Sequence, residues 1–61
     1  MNRVWERIVK TAQQYVAQGV AVPESDARKI VLRIVREEAV DPPSDVLNYW
    51  AWSLARRTQL S

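Results

Sequence analysis

Carboxylates, arginines and aromatic rings are the side chains with which this sequence could do chemistry, since it contains neither histidine nor cysteine. General acid–base and nucleophilic catalysis most often use His, Cys or a buried pair of carboxylates. The acidic residues instead lie near the predicted helix ends, where they favour the helix dipole or cap free N–H groups. Six of the seven acidic residues follow this pattern: Glu24, Asp26, Glu37, Glu38, Asp41 and Asp45. We therefore expect no catalytic residues and no enzyme activity.

A metal centre is not expected either, because the thiolate and imidazole ligands that most protein zinc sites use are missing from the sequence. Glu37, Glu38 and Asp41 could ligate a hard cation together. They lack the regular loop spacing that makes such a site specific. The sequence thus predicts no metal ion and no cofactor.

Basic residues recur at spacings of three and four on two segments, opposite the apolar positions of each. The first segment carries Arg3, Arg7 and Lys10, and the second carries Arg28, Lys29, Arg33 and Arg36. Ridges of this kind can contact phosphates, although a charged helix face is often only solvated. The net charge of +2 is too small to decide between these two interpretations.

Tyr49 and Trp52 depart from the pattern of the third apolar segment, since both project away from its inner stripe. Arg56 follows Trp52 by four residues and can stack on its ring. Leu32 lies similarly off the stripe of the second segment. Aromatic residues and arginine are enriched at binding hot spots, so we predict a protein-binding surface at Leu32, Tyr49, Trp52 and Arg56. The alternative is that a third helix buries a wide arc and one of the aromatics belongs to the core.

Three helices should carry these residues, over about residues 2–18, 23–39 and 43–57. Gly19 can adopt the left-handed conformation that closes the first helix, and Pro23 suits the start of the second. The two prolines after Asp41 prevent that helix from continuing. Either Asp41 or Ser44 can serve as the N-cap of the third.

The 3.6-residue period of the apolar positions predicts an all-α fold, although the second segment is rich in β-branched residues. Short connections favour a single domain over residues 1–61, an up-down-up three-helix bundle. A chain of 61 residues buries only about 60% of the surface that it exposes when unfolded, so homodimerisation is one way to complete the core. The predicted core is Trp5, Ile8, Ala12, Tyr15, Ile30, Val31, Ile34, Leu47, Trp50 and Leu54.

These features favour a small non-enzymatic interaction protein (an adaptor, inhibitor or regulator) that binds a protein partner or a second copy of itself. The alternative is a nucleic-acid-binding regulator that places the basic face of its second helix in a groove. Membrane association is not expected, because the apolar face that would insert is needed for the core. The absence of cysteine and of a signal-peptide pattern leads us to expect a soluble, cytoplasmic protein.

Overall fold

A computed structural model describes residues 3–59 and contains three helices, which confirms the all-α prediction. They are α1 (Arg3–Ala17), α2 (Glu24–Glu37) and α3 (Ser44–Gln59). The bounds agree with the expected ones to within about two residues, which is the usual uncertainty of helix ends. In the described part of the chain, no helix is long and apolar enough to cross a membrane.

The helices run up, down and up, as predicted. Arg7 in the second turn of α1 meets Glu38, which directly follows α2. Val22, which precedes α2, meets Thr58 in the last turn of α3. Because each contact joins the beginning of one helix to the end of another, α2 is antiparallel to both neighbours and α1 is parallel to α3. The third helix packs against both others, while α1 and α2 touch over a shorter length.

Gly19 closes the first helix, and its φ of +72° confirms the predicted left-handed conformation. The Val20 N–H donates to the Tyr15 carbonyl at 2.9 Å, and the Gly19 N–H donates to the Val16 carbonyl at 3.0 Å. This pair of bonds is a Schellman motif, which satisfies carbonyls that the helix end would otherwise leave free.

Ala39 closes the second helix in the same way, although it is not a glycine. Its φ is +56°, the Val40 N–H donates to the Val35 carbonyl at 3.2 Å, and the Ala39 N–H donates to the Arg36 carbonyl at 3.2 Å. The prediction that α2 reaches residue 39 was therefore slightly too long. The helix ends in this motif, several residues before the two prolines that were expected to stop it.

Prolines precede α2 and α3 rather than forming their first turns. Pro23 adopts extended angles at the N-cap, so α2 begins one residue later than predicted, and the Pro23 carbonyl accepts from the Ala27 N–H at 2.9 Å. Pro43 plays the same part for α3, where its carbonyl accepts from Leu47 at 3.1 Å. The predicted capping role of Asp41 or Ser44 was wrong, since Ser44 is already helical and Asp45 accepts from the Val46 N–H at 3.0 Å.

The core lies where the three inner stripes meet, and six of its predicted members are buried. These are Ile8, Ala12, Val31, Ile34, Trp50 and Leu54. The other four predictions were only partly right, because Trp5, Tyr15, Ile30 and Leu47 are half-buried at the edge of the core. Residues outside that list complete the buried set: Val4, Val22, Ala27, Val35, Ala51, Ser53, Ala55 and Thr58.

Thr58 attaches the α1–α2 turn to the end of α3. Its hydroxyl oxygen accepts from the Val22 N–H at 2.9 Å, and the same hydroxyl donates to the Ala55 carbonyl at 2.8 Å. Gln59 adds a bond from its side-chain amide to the Val22 carbonyl at 3.4 Å. The buried backbone of the turn is therefore paired by side chains that lie beyond the predicted end of α3.

Candidate binding surface

The third helix divides its aromatic residues between the core and the surface. Trp50 is 8% exposed, whereas Tyr49 is 57% and Trp52 47% exposed. The helical period explains the contrast, since positions 50 and 52 are about 200° apart around the axis. The expectation that Trp50 is inside while Tyr49 and Trp52 project from another side of α3 is confirmed.

Trp5 of α1 joins these two residues to form one row of rings. The Tyr49 ring lies 6.3 Å from that of Trp5, with an angle of 19° between the planes. The Trp52 ring lies 6.2 Å from that of Tyr49, and the two planes are tilted by 30°. We call Trp5, Tyr49 and Trp52 the aromatic row. Ring pairs at these separations attract one another beyond the area that they bury, which holds the exposed Tyr49 in place.

Two guanidinium groups cover the row. The Arg56 Cζ atom is 5.6 Å from the centre of the Trp52 ring, which is the pairing that the sequence predicts. The Arg57 Cζ atom is 5.1 Å from the centre of the Trp5 ring, which the sequence reasoning missed. Both distances allow a cation–π interaction. The spacing of Tyr49, Ser53 and Arg57, four residues apart in each step, places them on one face of α3. This spacing could have indicated that Arg57 lies on the same side of the molecule as Tyr49.

A shallow pocket of about 330 Å³ lies over this part of the molecule. The aromatic row, Ser53, Arg56 and Arg57 line it. It is open to solvent and combines apolar ring faces with guanidinium donors. Such a surface suits a partner with apolar side chains and carboxylates better than it suits a small substrate, which usually needs an enclosed cleft.

Two neighbouring hollows extend this surface along α1. One, of about 410 Å³, is lined by Val9, Ala12, Gln13, Val16, Ala17 and Arg57. The other, of about 380 Å³, is lined by Trp5, Glu6, Val9, Lys10 and Gln13. Trp5 and Arg57 each line the first pocket and one of these two hollows, and Val9 and Gln13 line both of the latter. The three hollows therefore adjoin one another along α1 and its boundary with α3, and we call this surface the α1–α3 groove.

Leu32, the fourth member of the predicted protein-binding set, is 37% exposed on α2. It lines none of the three hollows of the groove. The structure thus brings Tyr49, Trp52 and Arg56 together with Trp5 and Arg57, while Leu32 lies on α2, outside these hollows.

The basic ridge of α1 faces carboxylates at the end of α2. Arg7 approaches Glu37 at 2.6 Å and Glu38 at 3.1 Å, and Arg3 approaches Glu38 at 3.6 Å. The hydrogen bond to Glu37, and secondarily that to Glu38, raises the pKa of the Arg7 guanidinium above its ordinary value. Two of the three cations predicted to bind phosphate on α1 therefore already have anionic partners, and Lys10 is exposed beside the α1–α3 groove.

The basic ridge of α2 is more open to solvent. Arg28 donates a hydrogen bond to the Asn48 side-chain oxygen on α3, while Lys29, Arg33 and Arg36 are exposed. Like Lys10, these three cations of the predicted phosphate-binding set are exposed.

Metal-binding groups do not gather in the part of the chain that the structure describes. Between residues 3 and 59, no cluster of three or more Asp, Glu, His or Cys side chains could hold a metal ion. Glu37 and Glu38, two of the carboxylates considered for such a cluster, face Arg7 instead.

Comparison with family models, with curated proteins and with solved structures gives no match to this chain. The class of the molecule therefore follows from its own geometry. It is a small three-helix bundle with a row of three aromatic rings on one side, two of them exposed and one half-buried, together with two arginines.

Proposed function

We propose that this chain is a non-enzymatic binding module that recognises a protein partner through the aromatic row, Arg56 and Arg57. The single observation that carries the proposal is the ordered arrangement of Trp5, Tyr49 and Trp52 at the surface, with a guanidinium group over each tryptophan. Large rings that are exposed yet held in one arrangement lose little conformational freedom on binding, and this favours affinity.

The composition of the surface also supports a protein partner. Tryptophan, tyrosine and arginine are the residues most enriched at hot spots, where a few side chains supply most of the binding energy. Arg56 and Arg57 can exchange their contacts with the rings for contacts with a carboxylate of the partner, or can keep both. We expect the module to work as an adaptor, inhibitor or regulator in the cytoplasm, where a sequence without cysteine loses no disulfide to reduction.

The ion pairs of α1 weigh against nucleic acid as the partner. Arg3 and Arg7 are engaged by Glu37 and Glu38, so phosphates would have to compete with carboxylates of the same molecule. Electrostatic attraction of a duplex depends on the number of cations that are free to neutralise phosphates. The exposed cations of α2 are few, and α2 itself contains no Asn or Gln that could read adenine beside them.

Site-directed photo-crosslinking in cells that naturally produce the protein tests this proposal. The photoreactive amino acid p-benzoylphenylalanine is placed at Gln13, which borders the aromatic row without belonging to it, and separately at Lys29 on the outer face of α2. We expect a protein adduct from position 13 that disappears when Trp52→Ala is added. The matched control Val40→Ala, at an exposed apolar residue outside the groove, should leave the adduct unchanged.

Other results would overturn the proposal. No protein adduct from position 13, or an adduct that persists undiminished in Trp52→Ala, would show that the aromatic row is not the recognition surface. A nucleic-acid adduct from position 29 would favour the alternative, a regulator that binds through α2. Should the adduct at position 13 be a second copy of this chain, the module would be a homodimer.

A further inference from the structure

The proposed binding surface does not end at the aromatic row, and its continuation along α1 restricts what can occupy it. Trp5, Val9, Ala12 and Val16 are spaced by four, three and four residues and therefore follow one another along a single stripe of α1. At about 1.5 Å per residue the stripe is roughly 16 Å long, or about three helical turns. Ala12 lies buried between the larger side chains, whereas Val9 is half-buried and Val16 is exposed.

The parallel helices α1 and α3 border each other along part of this surface. Arg57 of α3 lines the same hollow as Val16 and Ala17 of α1, while Tyr49 of α3 stacks on Trp5. Residues of α3 line two of the three hollows, and the third is lined by α1 alone. An apolar channel bordered on one side by a second helix is a shape into which an amphipathic helix can place its apolar face. A helix in this channel would pack as the fourth member of a bundle.

The charged residues along the groove indicate which net charge the partner helix should carry. Four charged residues line the three hollows, namely the cations Lys10, Arg56 and Arg57 and the carboxylate Glu6. A partner whose apolar stripe is flanked by Asp and Glu would face three cations and one carboxylate. Complementary potentials of this kind fix the register of a complex and suppress wrong partners.

A second copy of the chain fits the groove less well. Two copies joined through the groove by a twofold axis would each present the same basic rim to the other. Lys10, Arg56 and Arg57 of both copies would then gather in one interface, which like-charge repulsion opposes. The net charge of +2 adds to that repulsion.

We infer that the α1–α3 groove binds an acidic amphipathic helix of a partner protein. This inference rests on the proposed function, since it names the kind of protein that the aromatic row and its arginines would recognise. The contact would extend from Trp52 at one side to Val16 at the far end of the stripe. Binding of such a helix would therefore depend on Val9 and Val16 of α1, which recognition by the aromatic row alone would not require.

Three synthetic peptides of about 16 residues, long enough to cover the stripe as a helix, serve as probes. The first has leucine at the apolar positions and glutamate on both flanks. The second has the same apolar positions with lysine on the flanks, and the third is the acidic peptide with a central proline. Titration into the full-length protein at low salt is followed by tryptophan fluorescence, because Trp5 and Trp52 line the groove.

We expect the acidic peptide to bind at least about tenfold more tightly than either the lysine peptide or the proline peptide. Val9→Asp should reduce that binding, whereas Val40→Asp, at an exposed position outside the groove, should not. The double change Arg56→Glu with Arg57→Glu should reverse the preference in favour of the lysine peptide. Circular dichroism of each variant verifies that the bundle is still formed.

Equal binding of the acidic and lysine peptides, or a preference that survives the double reversal, would overturn the inference. So would a dimer of the wild type, measured by sedimentation equilibrium, that Val9→Asp dissociates, since the occupant would then be a second copy. If the crosslink from position 13 depends on Trp52 while the acidic peptide shows no preference, the proposed function stands and only the helix inference fails. If neither a crosslink nor peptide binding is found, both fail.

Discussion

The Thr58 hydroxyl accepts a hydrogen bond from the Val22 N–H at 2.9 Å, across a separation of 36 residues in the chain. Both residues are buried, Thr58 to 1% exposure. The bond connects the turn between α1 and α2 to the last turn of α3. It therefore fixes the end of the bundle that contains the end of α1, the start of α2 and the end of α3. A small bundle without disulfides depends on contacts of this kind.

Thr58→Val tests the importance of this hydroxyl, because valine keeps the shape of threonine but cannot accept the Val22 N–H. We expect the free energy of unfolding to fall by about 1–3 kcal/mol, which is the cost of leaving a buried donor without its partner. Urea unfolding followed by circular dichroism measures the change. Thr58→Ser keeps the hydroxyl and should cost less than Thr58→Val; the opposite order would mean that the methyl group matters more than the hydrogen bond.

Substitutions at the two turn residues with positive φ should change the stability in opposite directions. Ala39 adopts a φ of +56°, a conformation that costs an L-residue roughly 1 kcal/mol and costs glycine almost nothing. Ala39→Gly should therefore raise the stability by up to about 1 kcal/mol, while Gly19→Ala should lower it by about the same amount. The melting temperatures of both variants measure this, and a destabilised Ala39→Gly would contradict the account of the second turn.

Core truncations should unfold the chain. Ile34 and Leu54 are buried in the core, so Ile34→Ala or Leu54→Ala should cost about 2–5 kcal/mol, a large part of the stability of a domain of this size. Leu32→Ala, at an exposed leucine on α2, is the matched control and should cost about 1 kcal/mol or less. Loss of far-UV helical signal at 25 °C measures the result, and a folded Leu54→Ala would show that the core has been assigned to the wrong face.

The exposed cations of α2 allow a test of whether the partner is a nucleic acid or a protein. If Lys29, Arg33 and Arg36 only face solvent, binding to generic duplex DNA should be absent at physiological salt and weak at low salt. If they contact phosphates, Arg33→Glu combined with Arg36→Glu should abolish a measurable affinity without changing the helix content. A salt series of binding titrations with wild type and the double variant distinguishes the two cases.

Periodicity and turn residues were enough to predict the fold, because three apolar stripes at the helical period require three helices that bury them together. Gly19 marked the first turn for the same reason, since glycine favours a positive φ. Ala39 could not be found in this way. Its conformation is imposed by the motif in which Val40 and Ala39 bond back to Val35 and Arg36, and its residue type gives no sign of it.

The surface was harder to predict than the core. Trp52 and Arg56 could be paired by counting four residues along one helix, a relation that the sequence contains. Trp5 could not be joined to Tyr49 in that way, because their contact depends on how α1 and α3 lie against each other. The ion pairs of Arg7 with Glu37 and Glu38 were missed for the same reason, since they join residues about 30 positions apart.

The two tryptophans near the middle of α3 should respond oppositely to truncation. Trp50→Ala removes a buried side chain and should unfold the bundle, at a cost of about 3–5 kcal/mol. Trp52→Ala removes an exposed ring and should leave the helix content and the melting temperature nearly unchanged. Circular dichroism measures both. If Trp52→Ala unfolds the chain as completely as Trp50→Ala, and the wild type sediments as a monomer, Trp52 belongs to the core.

The dissociation constant of the folded Trp52→Ala variant for the protein captured at position 13 tests the binding surface most directly. Loss of a hot-spot ring should weaken this complex by about 2 kcal/mol or more, which corresponds to roughly a 30-fold increase in the dissociation constant. Leu32→Ala, measured in parallel, should leave the constant within about twofold of wild type, as expected of a change outside the hot spot. A Trp52→Ala variant that is folded and binds as tightly as wild type would contradict the assignment of the aromatic row as the recognition surface.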